Sequence, residues 1–114
     1  MDIQVLLHNA GALVTAGLGA MGLLRPWAAA AFTSMQPVGL LGVSEIRATY
    51  GGFFLALGAW ALYAQAPAAF LAVGLAWLGA AAGRAVSVLA DRSTSPKNLG
   101  GILFEAGIGA LLLV

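Results

Sequence analysis

Glu45, Arg47, Arg84 and Glu105 are the side chains of this sequence whose chemistry is hardest to reconcile with their surroundings. Each stands in, or at the head of, a run of otherwise apolar residues, the first two in the stretch SEIRATYGGFFLALGAW at 44–60. Two carboxylates and two guanidiniums brought together are neutral, can bond in bidentate fashion, and offset most of the cost of leaving water. Taken singly, a carboxylate in an apolar helix can take up a proton or a cationic ligand. Taken as a pair, Glu45 and Glu105 can serve as general acid and base.

Other chemistries find no residues to carry them. The chain has no cysteine, so disulfides, thiolate metal sites and thiol nucleophiles are excluded and the redox compartment stays open. His8 is the single histidine and cannot build a metal cage by itself. No nucleophile and base pair or phosphate-binding loop is recognisable, and no metal or cofactor is expected. A formal net charge of +1 gives no reason to expect nucleic acid as a partner.

The elements that must position these residues follow from composition. Hydrophobic residues make up 61% of 114 positions and charged residues 8%, against roughly a quarter charged in soluble domains. The lipid bilayer is the expected solvent. A spanning helix needs about 20 mostly apolar residues, and the apolar runs predict an all-α membrane protein of one domain. Its four transmembrane helices, over about 3–24, 43–64, 68–90 and 98–114, are expected to form a compact bundle. Arg25-Pro26 stops the first run, Gln65-Ala66-Pro67 the second, and the polar loop DRSTSPKN the third. Between the first two lies PWAAAAFTSMQPVGLLG, too short and interrupted to span. It is expected as a short interfacial helix with Pro26 at its first position, the alternative being a re-entrant segment. The N-terminus lacks the basic leader of a signal peptide, and the first run is read as a retained anchor although Ala28-Ala29-Ala30 imitates a cleavage site.

Arg25, Arg47, Arg84, Arg92 and Lys97 all lie in or nearest the first and third connections. Basic residues are retained in the cytoplasm, so both termini are expected on the opposite side. Trp60 and Tyr63 then fall near the outer end of the second helix and suit an interfacial belt, as His8 and Asn9 suit an interfacial position.

Helices associate in lipid through small residues, and the chain offers several seams. These are Gly11, Thr15 and Gly19; Ala48, Gly52 and Ala56; Gly79 and Gly83; and Gly101 and Gly109, with Glu105 midway along the last. A surplus seam facing outward would suit a homo-oligomer or a larger complex. GGFFLALGAWAL at 51–62 also lies over GGILFEAGIGAL at 100–111 as a weak internal repeat.

At 1.5 Å per residue, Arg84 lies roughly 10 Å inward of Asp91 and Glu105 roughly 10 Å inward of Asn98, at depths overlapping Glu45 and Arg47. Ser44 is a candidate N-cap that would place Glu45 in a first turn, where a carboxylate is favourable and the cation of Arg47 is not. Two residues apart on a helix, Glu45 and Arg47 point away from one another, so Arg47 is expected to seek Glu105. Arg84, on a face with Ser87 and Asp91, either joins that cluster or snorkels to the interface.

The order E-I-R-A-T-Y-G-G (45–52), G-R-A-V-S (83–87), Asp91-Arg92 and a glutamate in the last helix resembles the bacterial membrane family known as domain of unknown function 4345, over nearly the whole chain. The resemblance implies a small four-helix inner-membrane protein and no established activity. It strengthens Glu45, Arg47, Tyr50, Gly51, Gly52, Gly83, Arg84 and Glu105 as site candidates, with Ser87 and Asp91 beside them. The leading expectation is a non-enzymatic scaffold or accessory subunit with a buried Glu/Arg cluster. The alternatives are a small proton- or ligand-coupled transporter or binding protein acting as an oligomer, its ligand unidentified, and a membrane enzyme or lipid-binding protein.

Overall fold

The computed structural model describes residues 2–114, and among them every regular element is helical. Helix α1 spans Ile3–Leu24 and α2 Pro26–Phe32. Helix α3, Gly39–Glu45, runs without interruption through a π-helical segment, Ile46–Gly52, into α4, Phe53–Ala64. Helix α5 spans Pro67–Asp91 and α6 Pro96–Leu113. Of these, α1 and α5 are long and apolar enough to cross a membrane.

The boundaries have local causes. A proline pushes the preceding residue out of helical geometry, and Arg25 (φ −133°, ψ 68°) and Ala66 (φ −101°, ψ 138°) separate successive helices in this way. Pro26 and Pro67 then open α2 and α5, where a missing N–H costs nothing. Helix α6 begins behind Ser95, whose side chain accepts from the backbone N–H of Asn98 at 3.2 Å, with Pro96 next.

The start of the second apolar run differs from expectation. The helix begins at Gly39, after Val38, rather than at Val43, so Ser44 is not an N-cap and Glu45 closes α3 instead of sitting in a first turn. The helix-dipole reading of Glu45 and Arg47 therefore fails, because at that depth both residues stand inside a continuous helical run.

Two compact units divide the chain: Ala12–Ala64, and the residues up to Gly11 together with Gln65–Val114. In the first unit, α1 runs against the π segment and α4 in the opposite direction. Added Cβ atoms at Gly19, Gly22 and Gly58 would collide with the backbone of Leu55, of Tyr50 and of Ala16, respectively. The contact side of this run is Ile46, Gly51 and Gly58, and the expected Ala48–Gly52–Ala56 seam is not, since Ala48 and Ala56 are exposed. The π turn explains the change. Residues five apart in an α-helix point roughly 140° from each other, whereas the wider turn, in which the Phe53 N–H reaches back to the Ala48 carbonyl, keeps Ile46 and Gly51 on one buried side. The alanine face of α2, Ala29 and Ala30, closes on Ile46, with Met21 and Tyr50 packed beside it.

In the second unit, α5 and α6 form an antiparallel hairpin. Gly74 faces Leu112 and Leu113, and Gly109 faces Leu78. Trp77 meets Phe104 edge to face, with ring centroids 6.1 Å apart. The first turns of α1 join this unit where Gly11 leaves room for Leu112. Gly79 and Gly83, expected as a packing seam, face open space on the exposed side of α5. The proposed repeat has no counterpart in packing: Gly51 lies against Leu23 and Gly58 against Ala16, while their sequence partners Gly100 and Gly107 meet nothing.

Candidate functional site

Glu105 is one of the buried polar residues of the chain, on the inward face of α6 with Ile108, Gly109 and Leu112. Its charge is met by Arg84 of α5, whose Nε donates to Glu105 Oε1 at 2.6 Å. Gly101, one turn earlier on α6, leaves the space in which the guanidinium lies, since a Cβ there would come within 3.0 Å of Arg84 Nε. A second guanidinium nitrogen, Nη1, donates to Asn98 Oδ1 at 3.2 Å. Asn98 in turn donates from Nδ2 to the Ser93 carbonyl at 2.8 Å. The result is a chain of bonds from the turn through Asn98 and Arg84 to a buried carboxylate. The side chain of Arg84 is 36% exposed and that of Glu105 12%, so the pair spans the edge of the hairpin's interior.

The four charged residues do not form one buried cluster. Glu45 and Arg47 are exposed. Arg47, expected to meet Glu105, donates instead from Nη1 to the backbone carbonyl of Leu23. That carbonyl belongs to the last turn of α1, where orphan acceptors and the negative end of the helix dipole favour a cation. The π turn carries Arg47 to this point, and Gly51, packed against Leu23, lets the two backbones approach closely enough for the bond to form.

The supporting residues separate as well. Tyr50 is half-buried beside the α2 contact, its ring 6.2 Å from that of Phe54. A Cβ added at Gly52 would come no closer than 3.9 Å to the Arg47 carbonyl, and one at Gly83 would meet open space, so neither position needs glycine for close packing. Ser87 Oγ donates to Asp91 Oδ2 at 2.8 Å, a bond within α5 beside the Arg84–Glu105 pair. Among the described residues, no three His, Cys, Asp or Glu side chains come together in a way that could hold a metal ion.

Sequence reasoning missed Asn98, although the S-P-K-N spacing that makes Ser95 a cap also fixes Asn98 in the first turn of α6 facing the hairpin. It also missed the exchange between Asn9 and Gln65, in which Asn9 Nδ2 donates to Gln65 Oε1 at 3.2 Å and Gln65 Nε2 to Asn9 Oδ1 at 2.6 Å. His8 bonds the Val114 carbonyl through Nε2 at 2.6 Å and lies with its ring 4.8 Å from Phe70. These bonds secure α1 to α6 and to the start of α5, and no sequence motif announces them.

The architecture defines an all-helical protein with two helices long and apolar enough to cross a membrane and a polar clamp within one helical hairpin. The family described as Domain of unknown function (DUF4345) matches residues 4–114, and the chain belongs to it. No curated protein and no solved structure matches the chain.

Proposed function

We propose that this is a small multi-pass protein of a bacterial inner membrane, acting as a non-enzymatic scaffold or accessory subunit. The observation that carries the reading is the Arg84–Glu105 bond: the buried carboxylate is already joined to a guanidinium, which Asn98 holds in turn. A carboxylate so engaged joins α5 to α6 and spends its charge on a bond within the fold, which favours a structural part over a transporter or an acid–base enzyme.

Four crossings are supported by more than α1 and α5. The helical run from Gly39 to Ala64 exceeds the roughly 30 Å of a hydrocarbon core even though its π segment divides it. Helix α6 is short but pairs with α5 along its length. The basic residues in or nearest the α1–α2 and α5–α6 connections support a topology with both termini on the non-cytoplasmic side. The open small-residue face of α5 at Gly79 and Gly83 leaves room for a second protomer or another membrane protein.

The test is proton flux in sealed vesicles carrying the purified protein, followed with an entrapped pH dye under an imposed potential. The scaffold reading expects the rate of protein-free vesicles. A flux removed by Glu105→Gln, with fold and oligomeric state unchanged, would establish the transporter instead.

A further inference from the structure

Helix α3 has no buried residue and its first residue follows Val38, which supplies no capping side chain. Leu40 and Leu41 are 87% and 74% exposed, and Val38 just before them is 85% exposed. The neighbouring α2 is fixed by its alanine face to Ile46 and leaves Trp27 and Phe32 outward. An apolar phase must cover this surface.

The charges around it select the kind of cover. From Ile3 to Ala64 the ionisable acids and bases with full charge are Arg25, Glu45 and Arg47, and none lies between Arg25 and Glu45. Arg47 is hooked to the Leu23 carbonyl at the end of α1, and Arg25 follows that turn directly, so both guanidiniums belong to one end of this unit. Both are exposed, and among the described residues nothing bonds the side chain of Arg25. Arg47 uses one of its five N–H donors on Leu23. Glu45 is the opposing carboxylate and leaves the end with an excess of positive charge.

We propose that this end of the protein is a docking site for an anionic phospholipid, its phosphate on Arg25 and Arg47 and its upper acyl chain against Trp27. An exposed tryptophan beside arginines that outnumber the nearby carboxylate is the combination that suits a negatively charged leaflet. The inference rests on the membrane reading above and adds a ligand class and a location to it.

The experiment uses the full chain with Trp60→Phe and Trp77→Phe, so that Trp27 is the only tryptophan, in phosphatidylcholine vesicles. Phosphatidylglycerol or phosphatidylcholine brominated on the upper acyl chain is added at the same mole fraction. Phosphatidylglycerol should be enriched beside Trp27 by roughly fivefold per engaged arginine and quench it more strongly. Arg25→Gln, which loses no protein bond, should reduce the difference, and Arg25→Lys should restore it. Excess inorganic phosphate should change nothing. Equal quenching by the two lipids, indifference to Arg25→Gln, or competition by free phosphate overturns the proposal. Alkaline carbonate distinguishes the two failures: a chain extracted from the vesicles sinks the membrane reading itself, whereas a retained chain with equal quenching sinks only the lipid site.

Discussion

Arg84 Nε and Glu105 Oε1 stand 2.6 Å apart across the α5–α6 hairpin, over the one-turn gap that Gly101 leaves in α6. The bond joins a side chain that is partly exposed to one that is nearly enclosed, and removal of either partner has unequal consequences. Without Arg84, a carboxylate is left in an apolar interior; without Glu105, the guanidinium can still reach Asn98 and the hairpin edge.

Arg84→Ala should therefore destabilise the protein more than Glu105→Ala, and the double variant should cost less than the sum, with a coupling of about 1 kcal/mol. Unfolding by a graded increase of anionic detergent, followed by circular dichroism, measures all three. Arg47→Ala combined with Glu105→Ala serves as the control and should be additive, because Arg47 spends its bond on Leu23. Coupling in the control, or additivity in the first pair, would refute the assignment of partners.

Glycines identical in sequence terms differ sharply in what surrounds them. At Gly22 and Gly51 a methyl group would run into the backbone of Tyr50 and of Leu23, whereas at Gly79 and Gly83 it would meet nothing. Gly22→Ala and Gly51→Ala should each cost about 1–3 kcal/mol through overpacking. Gly79→Ala and Gly83→Ala should gain about 0.5–1 kcal/mol from helix propensity. Melting temperatures at low protein concentration test this directly. A loss at Gly79 or Gly83 that grows with concentration would show that another chain packs there.

Much of this was legible before the structure. Pro26, Pro67 and the polar loop DRSTSPKN located the start of α2 and the limits of α5 and α6 to within two residues, because such residues act through their own backbone and need no tertiary information. Gly101, Glu105 and Gly109 were readable as one face of α6 for the same reason. The π turn was not. Its effect is to rotate everything before it relative to everything after it, so a regular count along 44–60 puts Ala48, Gly52 and Ala56 on one seam, whereas Ala48 and Ala56 are exposed and Gly51 is buried. The partner of Arg47 is hidden with it, because a backbone carbonyl carries no signature in sequence.

That carbonyl makes Arg47 testable as a helix cap. Arg47→Ala should loosen the last turn of α1 without unfolding α5 or α6, since the bond it removes lies wholly within Ala12–Ala64. A charged cap on a helix C-terminus contributes about 0.3–1 kcal/mol at an exposed site. Amide hydrogen exchange should accelerate severalfold at Arg25 and Ala29, whose N–H groups bond to the Met21 and Arg25 carbonyls, and stay unchanged along α6. Arg47→Lys should preserve part of the protection. Uniform acceleration throughout the chain would mean that Arg47 supports the whole fold rather than one helix end.

The number of membrane crossings can be decided by accessibility, because the chain contains no cysteine to interfere. Single cysteines at Gln36, Ala66 and Thr94 probe the connections α2–α3, α4–α5 and α5–α6, all of which lie outside helices. With four crossings, Gln36→Cys and Thr94→Cys share the cytoplasmic side and Ala66→Cys faces the other. If α1 and α5 alone crossed, Gln36→Cys and Ala66→Cys would share a side and Thr94→Cys would be opposite them. A membrane-impermeant maleimide added to intact cells, with and without prior permeabilisation, separates the two patterns. The four-crossing arrangement expects labelling before permeabilisation only at position 66. Labelling of position 94 from outside would leave Arg92 and Lys97 on the non-cytoplasmic face, against the retention of basic residues, and would end that topology.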